Sequence, residues 1–416
     1  MKILFKNAKI VVPGSKFHQK KMDVLVENGK ISAIKTSIKS KVDREISIKN
    51  LHLSEGWFDS SVSFGEPGFE ERETLANGLK TAAKSGFTAI ALNPVTFPVI
   101  DTNSNVAYLK GKASKSSVNL YPIGALSKNS EGVQLAEIYD MSQAGATAFG
   151  DYKQPIENPN LLKIALQYAQ NFNGLILSYP QENKVVGKGQ VNENLNSTSL
   201  GLKGIPPLAE ELQIIRDLYL LEYTGGKLHL PTISTEKSVR LIKDAKKKGL
   251  NVTCSVAIHN LFFTDDKLTE FDANFKVLPP LRTKKDLTAL IKGVKDGTID
   301  MVTSDHFPVD IEHKNVEFEH ALYGSIGLET AFGALCTIFG TETSVRLLTS
   351  GKERFSVEYN PFSEGKKADL TLFVPDKNYE FQQNAIFSTS KNSMFLGETL
   401  KGKVVGTFSN NQLTLA

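Results

Sequence analysis

Cysteine is nearly absent from this chain of 416 residues: only Cys254 and Cys336 occur, without the paired spacing of a disulfide framework or a zinc knuckle. Both are therefore read as small buried apolar residues. No segment approaches the roughly 18 consecutive apolar residues that a membrane-crossing helix requires. From Met1 to Val12 polar and apolar side chains alternate, with no continuous apolar stretch leading to a small-residue cleavage site. That pattern indicates a strand and a cytoplasmic location, not a signal peptide. Charge of one sign is not in marked excess either. The 49 Lys and Arg against 45 Asp and Glu give a formal net charge of +4, spread along the chain, so no nucleic-acid stripe is expected. Low-complexity segments and short-period repeats are missing as well.

What remains is an ordinary globular composition, 40% hydrophobic and 23% charged, in a chain long enough for one large domain and a smaller module. The first fifty or so residues hold short alternating segments, Lys2 to Val12 and Met22 to Ile34, with an Asn28-Gly29 turn signal in the second. Ala368 to Val374 and Gly402 to Phe408 have the same strand character, followed by a second turn signal at Asn410-Asn411. Residues 1–52 and 360–416 are therefore expected to pair into one small β-module. Between them, residues 53–359 alternate helical stretches with apolar strands. Glu71 to Ser85 precedes Gly86 to Leu92, Pro207 to Thr224 precedes Leu228 to Ile233, and Lys284 to Lys295 precedes Ile299 to Ser304. Repeated β and α units over about 300 residues point to an α/β parallel barrel whose functional face lies at the C-terminal strand ends.

Family-like motifs run through nearly the whole chain. They include Glu66-Pro-Gly68, Tyr121-Pro-Ile-Gly-Ala125, Gly204-Ile-Pro-Pro-Leu208, Leu278-Pro-Pro-Leu-Arg282, Ser304-Asp-His-Phe-Pro308 and Gly327-Leu-Glu-Thr330. In this order they resemble the dihydroorotases of the amidohydrolase superfamily. The resemblance implies a TIM-type (β/α)8 barrel with a β-sandwich module formed by both chain ends, and a place in pyrimidine biosynthesis. In that family two histidines one residue apart on the first strand ligate zinc, both on one side of the strand because strand side chains alternate. Here Ser61 and Ser63 take those positions, and Tyr179 and Thr232 take those of the two later histidines. Asp305 matches the family's metal-binding general acid/base. Asp151 matches a bridging carboxylate, with a register open by one residue.

The substrate side differs independently. Where the family has an arginine clamping the substrate carboxylate this chain has Gly65, and Val95, Phe97, Leu278 and Val309 replace two asparagines, a third asparagine and a histidine. An anionic ring would lose its hydration there without gaining partners. Neither a metal nor a bound substrate is expected, and Asp305 is expected to be idle. The resemblance implies a homodimer and a partnership with aspartate carbamoyltransferase, which dihydroorotases of this type often join. The alternative is an active cyclic amidohydrolase with an altered or single zinc site, for which His259 is a further candidate ligand. His306, next to Asp305 on a strand, is expected to pack behind the barrel, and His229 to be a satisfied interior group. Lys246 to Lys248 is read as a solvated helix face, and the Asn-, Gly- and Ser-rich stretch from Glu182 to Leu202 as a mobile loop.

Overall fold

The computed structural model describes residues 1–416. Strands Trp57–Val62, Phe87–Leu92, Asn119–Gly124, Ala148–Phe149, Ile176–Leu177, Leu228–Leu230, Val252–Ala257 and Met301–Thr303 pair in parallel in chain order. A parallel bridge from Val62 to His306 joins the last strand to the first and closes the barrel. Most of these strands are buried on both sides, which is why they read as apolar runs and not as alternations.

The helices between them start where side chains satisfy the free N–H groups of the first turn. Thr74 caps Leu75–Lys84, Thr235 caps Glu236–Lys247 and Thr283 caps Lys284–Lys295, each hydroxyl accepting from the backbone N–H three residues on. Two helices near the end of the barrel, Leu328–Phe339 and Thr341–Thr349, were not legible as separate elements.

Both chain ends contribute to a second sheet of eight strands, in the order Gln412–Leu415, Thr399–Ser409, Leu370–Glu380, His52–Glu55, Lys2–Ile10, Lys21–Glu27 and Lys30–Lys35, with Arg44–Ile46 also paired to Lys2–Ile10. The sheet reaches Glu55, slightly beyond residue 52. Its hairpins turn at Asn28-Gly29 and Asn410-Asn411, where all four residues have positive φ, the conformation that two-residue hairpin loops demand. The module keeps its own core around Ile3, Phe5, Val24, Leu370 and Phe408. Trp57 joins it to the barrel, packed against Phe87, Phe332 and Phe373, with its indole N–H donated to Ser54 Oγ at 2.9 Å.

The stretch from Glu182 to Leu202 is not a bare loop. It forms the short helices Asn183–Val186 and Leu195–Ser199 and the strand Val191–Asn192, which pairs with Gly204–Ile205. Its asparagines are structural: Asn192 and Asn194 both donate to Asp265, and buried Arg282 donates to Asn192 Oδ1 at 2.8 Å.

Candidate functional site

The residues singled out in the sequence gather at the C-terminal ends of the barrel strands. Ser61 lies one residue before the end of the first strand, Asn93 follows the second, Tyr152 and Lys153 the fourth, Tyr179 the fifth, Thr232 the sixth, His259 the seventh and Asp305 the eighth. Ser61 and Ser63 do face one side of their strand: the Asn93 amide donates to both hydroxyls, at 3.1 Å each. Asp305 is buried at the centre, where its carboxylate accepts from Ser61 Oγ at 3.2 Å, the Tyr152 hydroxyl at 2.8 Å and Lys153 Nζ at 2.8 Å. The Tyr152 ring stacks on Phe307, and the Lys153 ammonium lies over both rings.

Asp151 is not part of this cluster. Its carboxylate is turned to the backbone N–H groups of Leu126 and Ser127, at 2.9 and 3.0 Å, and to the Ser127 hydroxyl. Beyond the strand the chain turns at Tyr152 and Lys153, the latter at positive φ, which aims both of these side chains at Asp305 and leaves Asp151 turned away. The one-residue ambiguity in the sequence was the signal for this. Lys153 carried no such signal, because a lysine on a strand-end loop reads as solvated.

Burial and nearby carboxylates push both phenols at the site well above the ordinary tyrosine range: Asp305 acts on Tyr152, and Glu210 with Asp305 on Tyr179. Both stay neutral, and a neutral phenol is a poor donor to a metal. Burial lowers His259 to about 4, with Asp305 opposing the shift and Lys153 adding to it. His229 is lowered to about 3 by burial with Arg354 and Lys246, and sits between Thr253 Oγ1 at 2.9 Å and Ser255 Oγ at 3.1 Å. His306 packs behind the barrel against Phe64, lowered to about 4 by burial.

The set of donors does not fit zinc. Around Asp305 stand two serines, two phenols, a threonine and two buried imidazoles. Both nitrogens of His229 are taken up by Thr253 and Ser255, and an ammonium already pairs with the carboxylate, so only His259, with a free buried Nε2, remains as a zinc-type donor. Nowhere does the chain bring together three His, Cys, Asp or Glu side chains able to hold a metal ion. The cavity between Ser61, Tyr152, Lys153, Tyr179, His229 and Thr232 has a volume of about 20 Å³. That is near the space of one water molecule, where a small-molecule site offers about 300 Å³ or more.

The five substrate-side positions do not line this cavity. A side chain at Gly65 would run into the Phe69 carbonyl, so the backbone there leaves no room for an arginine. Phe97 is 72% exposed and fills nothing, and Val95 and Leu278 are half-buried. Val309 is buried, with its N–H donated to Asn392 Oδ1, in the wall of a separate open cleft of about 590 Å³. The side chains that fill the centre are therefore Tyr152, Lys153 and Tyr179, in place of the expected apolar replacements.

Residues 52–238 match a family model described as dihydro-orotase-like. The chain is 38% identical to a dihydroorotase of Syntrophus aciditrophicus over 99% of both chains, and 38% identical to one of Ruminiclostridium cellulolyticum over 97% of this chain and 96% of that one. In fold it is similar to an L-hydantoinase from Arthrobacter aurescens, with a TM-score of 0.85 and 21% identity over 99% of this chain and 95% of the other. A dihydropyrimidinase from Brevibacillus agri gives 0.82 and 20% over 100% and 95%. With identity at that level over its full length, the chain belongs to the dihydroorotase family.

Proposed function

We propose that this chain is a non-catalytic dihydroorotase homologue, acting in pyrimidine biosynthesis as a structural or regulatory partner of aspartate carbamoyltransferase. One observation carries the reading: the Asp305 carboxylate is neutralised from within by Lys153 and hydrogen-bonded by Tyr152. A general acid/base must be free to exchange a proton with a reacting group, and this one is held by three donors in a cavity too small for a ring. Without a metal to lower the pKa of water there is no strong nucleophile for amide hydrolysis at neutral pH.

The full-length likeness to proteins named dihydroorotase favours a second reading, residual ring-opening activity at an altered metal site. Metal analysis of the purified chain together with a dihydroorotate hydrolysis assay separates the two. Metal far below one equivalent and no hydrolysis are expected, whereas stoichiometric zinc with turnover overturns the non-catalytic reading. The partnership is tested by gel filtration of the chain mixed with aspartate carbamoyltransferase, and by transferase assays with and without it. Separate elution and unchanged transferase activity remove that partner.

A further inference from the structure

A second cavity lies where the barrel meets the β-module, and it shares no lining residue with the cavity at the barrel centre. Its volume is about 350 Å³, within the range of small-molecule sites, which begins at about 300 Å³. On the barrel side it is formed by Lys84 and Ser85 at the end of helix Leu75–Lys84 and by Glu329 at the start of helix Leu328–Phe339. Strands Leu370–Glu380 and Thr399–Ser409, with the segment between them, close it with Tyr379, Phe381, Phe387 and Val404. Aromatic walls around a few polar groups are the usual make-up of a ligand site.

Two polar atoms of these lining residues are buried without any protein partner, Glu329 Oε2 and Ser85 Oγ. The Glu329 side chain is only 3% exposed. Its other oxygen accepts from the Ser388 N–H at 3.0 Å and the Ser388 hydroxyl at 2.7 Å, both neutral donors. The one basic group near Oε2 is His306, with Nδ1 at 4.0 Å. That nitrogen already accepts from the Gly327 and Leu328 N–H groups, and burial lowers the ring to about 4, so it offers Glu329 neither a proton nor a charge. Glu73, which binds the adjacent Thr389, is a second buried carboxylate held only by amide and hydroxyl donors. Burying a carboxylate without a cation is costly, and an unsatisfied oxygen of this kind calls for a partner.

The cations of the cavity are not spent on Glu329. Lys84 Nζ lies over the Phe387 ring, 4.2 Å from its centroid, and Lys403 is exposed. An unpaired buried anion and two cations on flexible stems therefore border one aromatic-walled space. We propose that this cavity binds an α-amino acid with an apolar side chain. The ligand's ammonium donates to Glu329 Oε2 and the Ser85 hydroxyl, its carboxylate meets Lys84 and Lys403, and its side chain packs on Tyr379, Phe381 and Phe387. An ammonium suits Glu329 better than a neutral N–H does, because it supplies the counter-charge that two neighbouring carboxylates lack. A polyanion such as a nucleotide would satisfy the lysines and leave that charge uncompensated.

Isothermal titration calorimetry of the full chain with L-phenylalanine and L-leucine tests this. One site per chain is expected. N-acetyl-L-phenylalanine lacks the ammonium and phenethylamine lacks the carboxylate, and each is expected to bind at least about tenfold more weakly than L-phenylalanine. Glu329→Gln is expected to weaken L-phenylalanine by a similar factor, with its fold checked by circular dichroism because Glu329 also holds Ser388. Lys403→Met alters an exposed residue and is expected to weaken L-phenylalanine while leaving phenethylamine unchanged. No saturable heat up to about 10 mM of either amino acid overturns the proposal, as does N-acetyl-L-phenylalanine or phenethylamine binding as tightly as L-phenylalanine. Binding that neither variant weakens lies elsewhere on the chain and overturns it too. Uridine monophosphate bound in a manner that Lys403→Met weakens, with neither amino acid bound, assigns the cavity to nucleotides instead.

Discussion

Lys153→Met tests whether an internal cation has replaced the chemistry of the site. The ammonium lies 2.8 Å from Asp305 Oδ2, with side-chain exposures of 12% and 1% for the two partners. At that separation, with an effective dielectric of about 20, the attraction is on the order of 6 kcal/mol, most of it offset by desolvation of the two charges. Breaking such a pair from one side costs more than the pair contributes, because the other charge stays buried. After Lys153→Met the Asp305 carboxylate keeps only the Tyr152 and Ser61 hydroxyls, and a loss of about 3 kcal/mol is expected. Asp305→Asn leaves a lysine that can turn its ammonium toward water, so about 1–2 kcal/mol is expected. The double variant, with neither charge, should lose about as much as Asp305→Asn alone, a coupling on the order of 2–3 kcal/mol. Urea titration is the appropriate assay. At about 2.1 cal/mol/K per residue the unfolding entropy of the 416-residue chain is near 0.9 kcal/mol/K, so 3 kcal/mol moves the melting temperature by only about 3 °C. A Lys153→Met variant within about 0.5 kcal/mol of wild type, or a coupling near zero, refutes the reasoning.

Three further outcomes follow from the same geometry. The double variant Ser61→His with Ser63→His is expected to gain neither stoichiometric zinc nor dihydroorotate hydrolysis, since Tyr152, Tyr179 and Thr232 still face the centre and Lys153 still holds Asp305; metal analysis and an ultraviolet assay check this. Gly65→Ala is expected to destabilise by more than about 2 kcal/mol in urea titration, because its Cβ would meet the Phe69 carbonyl, and a neutral result removes the steric account of the missing arginine. The folded-state pKa of His259, about 4, lies below its unfolded value of about 6.5, so the unfolded chain binds the extra proton between them and stability falls as pH drops through that window. His259→Asn should therefore flatten the dependence of unfolding free energy on pH between 6 and 5 by about 1.2 kcal/mol per pH unit, and an unchanged slope shows that the imidazole is not buried neutral.

Much of the fold was written locally. Asn28-Gly29 and Asn410-Asn411 announce hairpins because few other residues accept positive φ, and the threonine caps mark where three barrel helices begin. The strands Ala148–Phe149 and Ile176–Leu177 are too short to show any period, and barrel closure between Val62 and His306 is a contact across most of the chain. At the site, period-two alternation placed Ser61 and Ser63 together, and of the two residues between which the register of Asp151 stayed open it is Tyr152 that faces Asp305. Lys153 was invisible because its partner lies 152 residues away. The amide-rich stretch from Glu182 to Leu202 reads as mobile when those amides are assumed to face water, but Asp265 and Arg282 bind them.

The segment Ser304-Asp-His-Phe-Pro308 is the strongest sequence pointer to hydrolysis, yet its contacts need neither metal nor substrate. Asp59 accepts from the Ser304 N–H at 2.9 Å, the Thr303 hydroxyl and the Ser61 N–H, and so ties the last strand to the first. The His306 carbonyl accepts from the Ser63 N–H at 2.8 Å, and its Nδ1 accepts from Gly327 and Leu328, satisfying donors at the start of Leu328–Phe339. Asp305 and Thr232 both sit at positive φ, which is uncommon for an aspartate and an outlier for a β-branched threonine. Such conformations cost about 1–3 kcal/mol each and persist only where the surroundings over-determine them. Here Asp59, His306 and the Ser255 hydroxyl, which accepts from the Thr232 N–H at 3.2 Å, make up part of those surroundings, and none of them is a metal ligand. Barrel closure therefore holds the backbone of the site in place whether or not chemistry happens there. A match to this motif reports the fold, and the reaction is reported by the side chains at 61, 63, 152, 179 and 232.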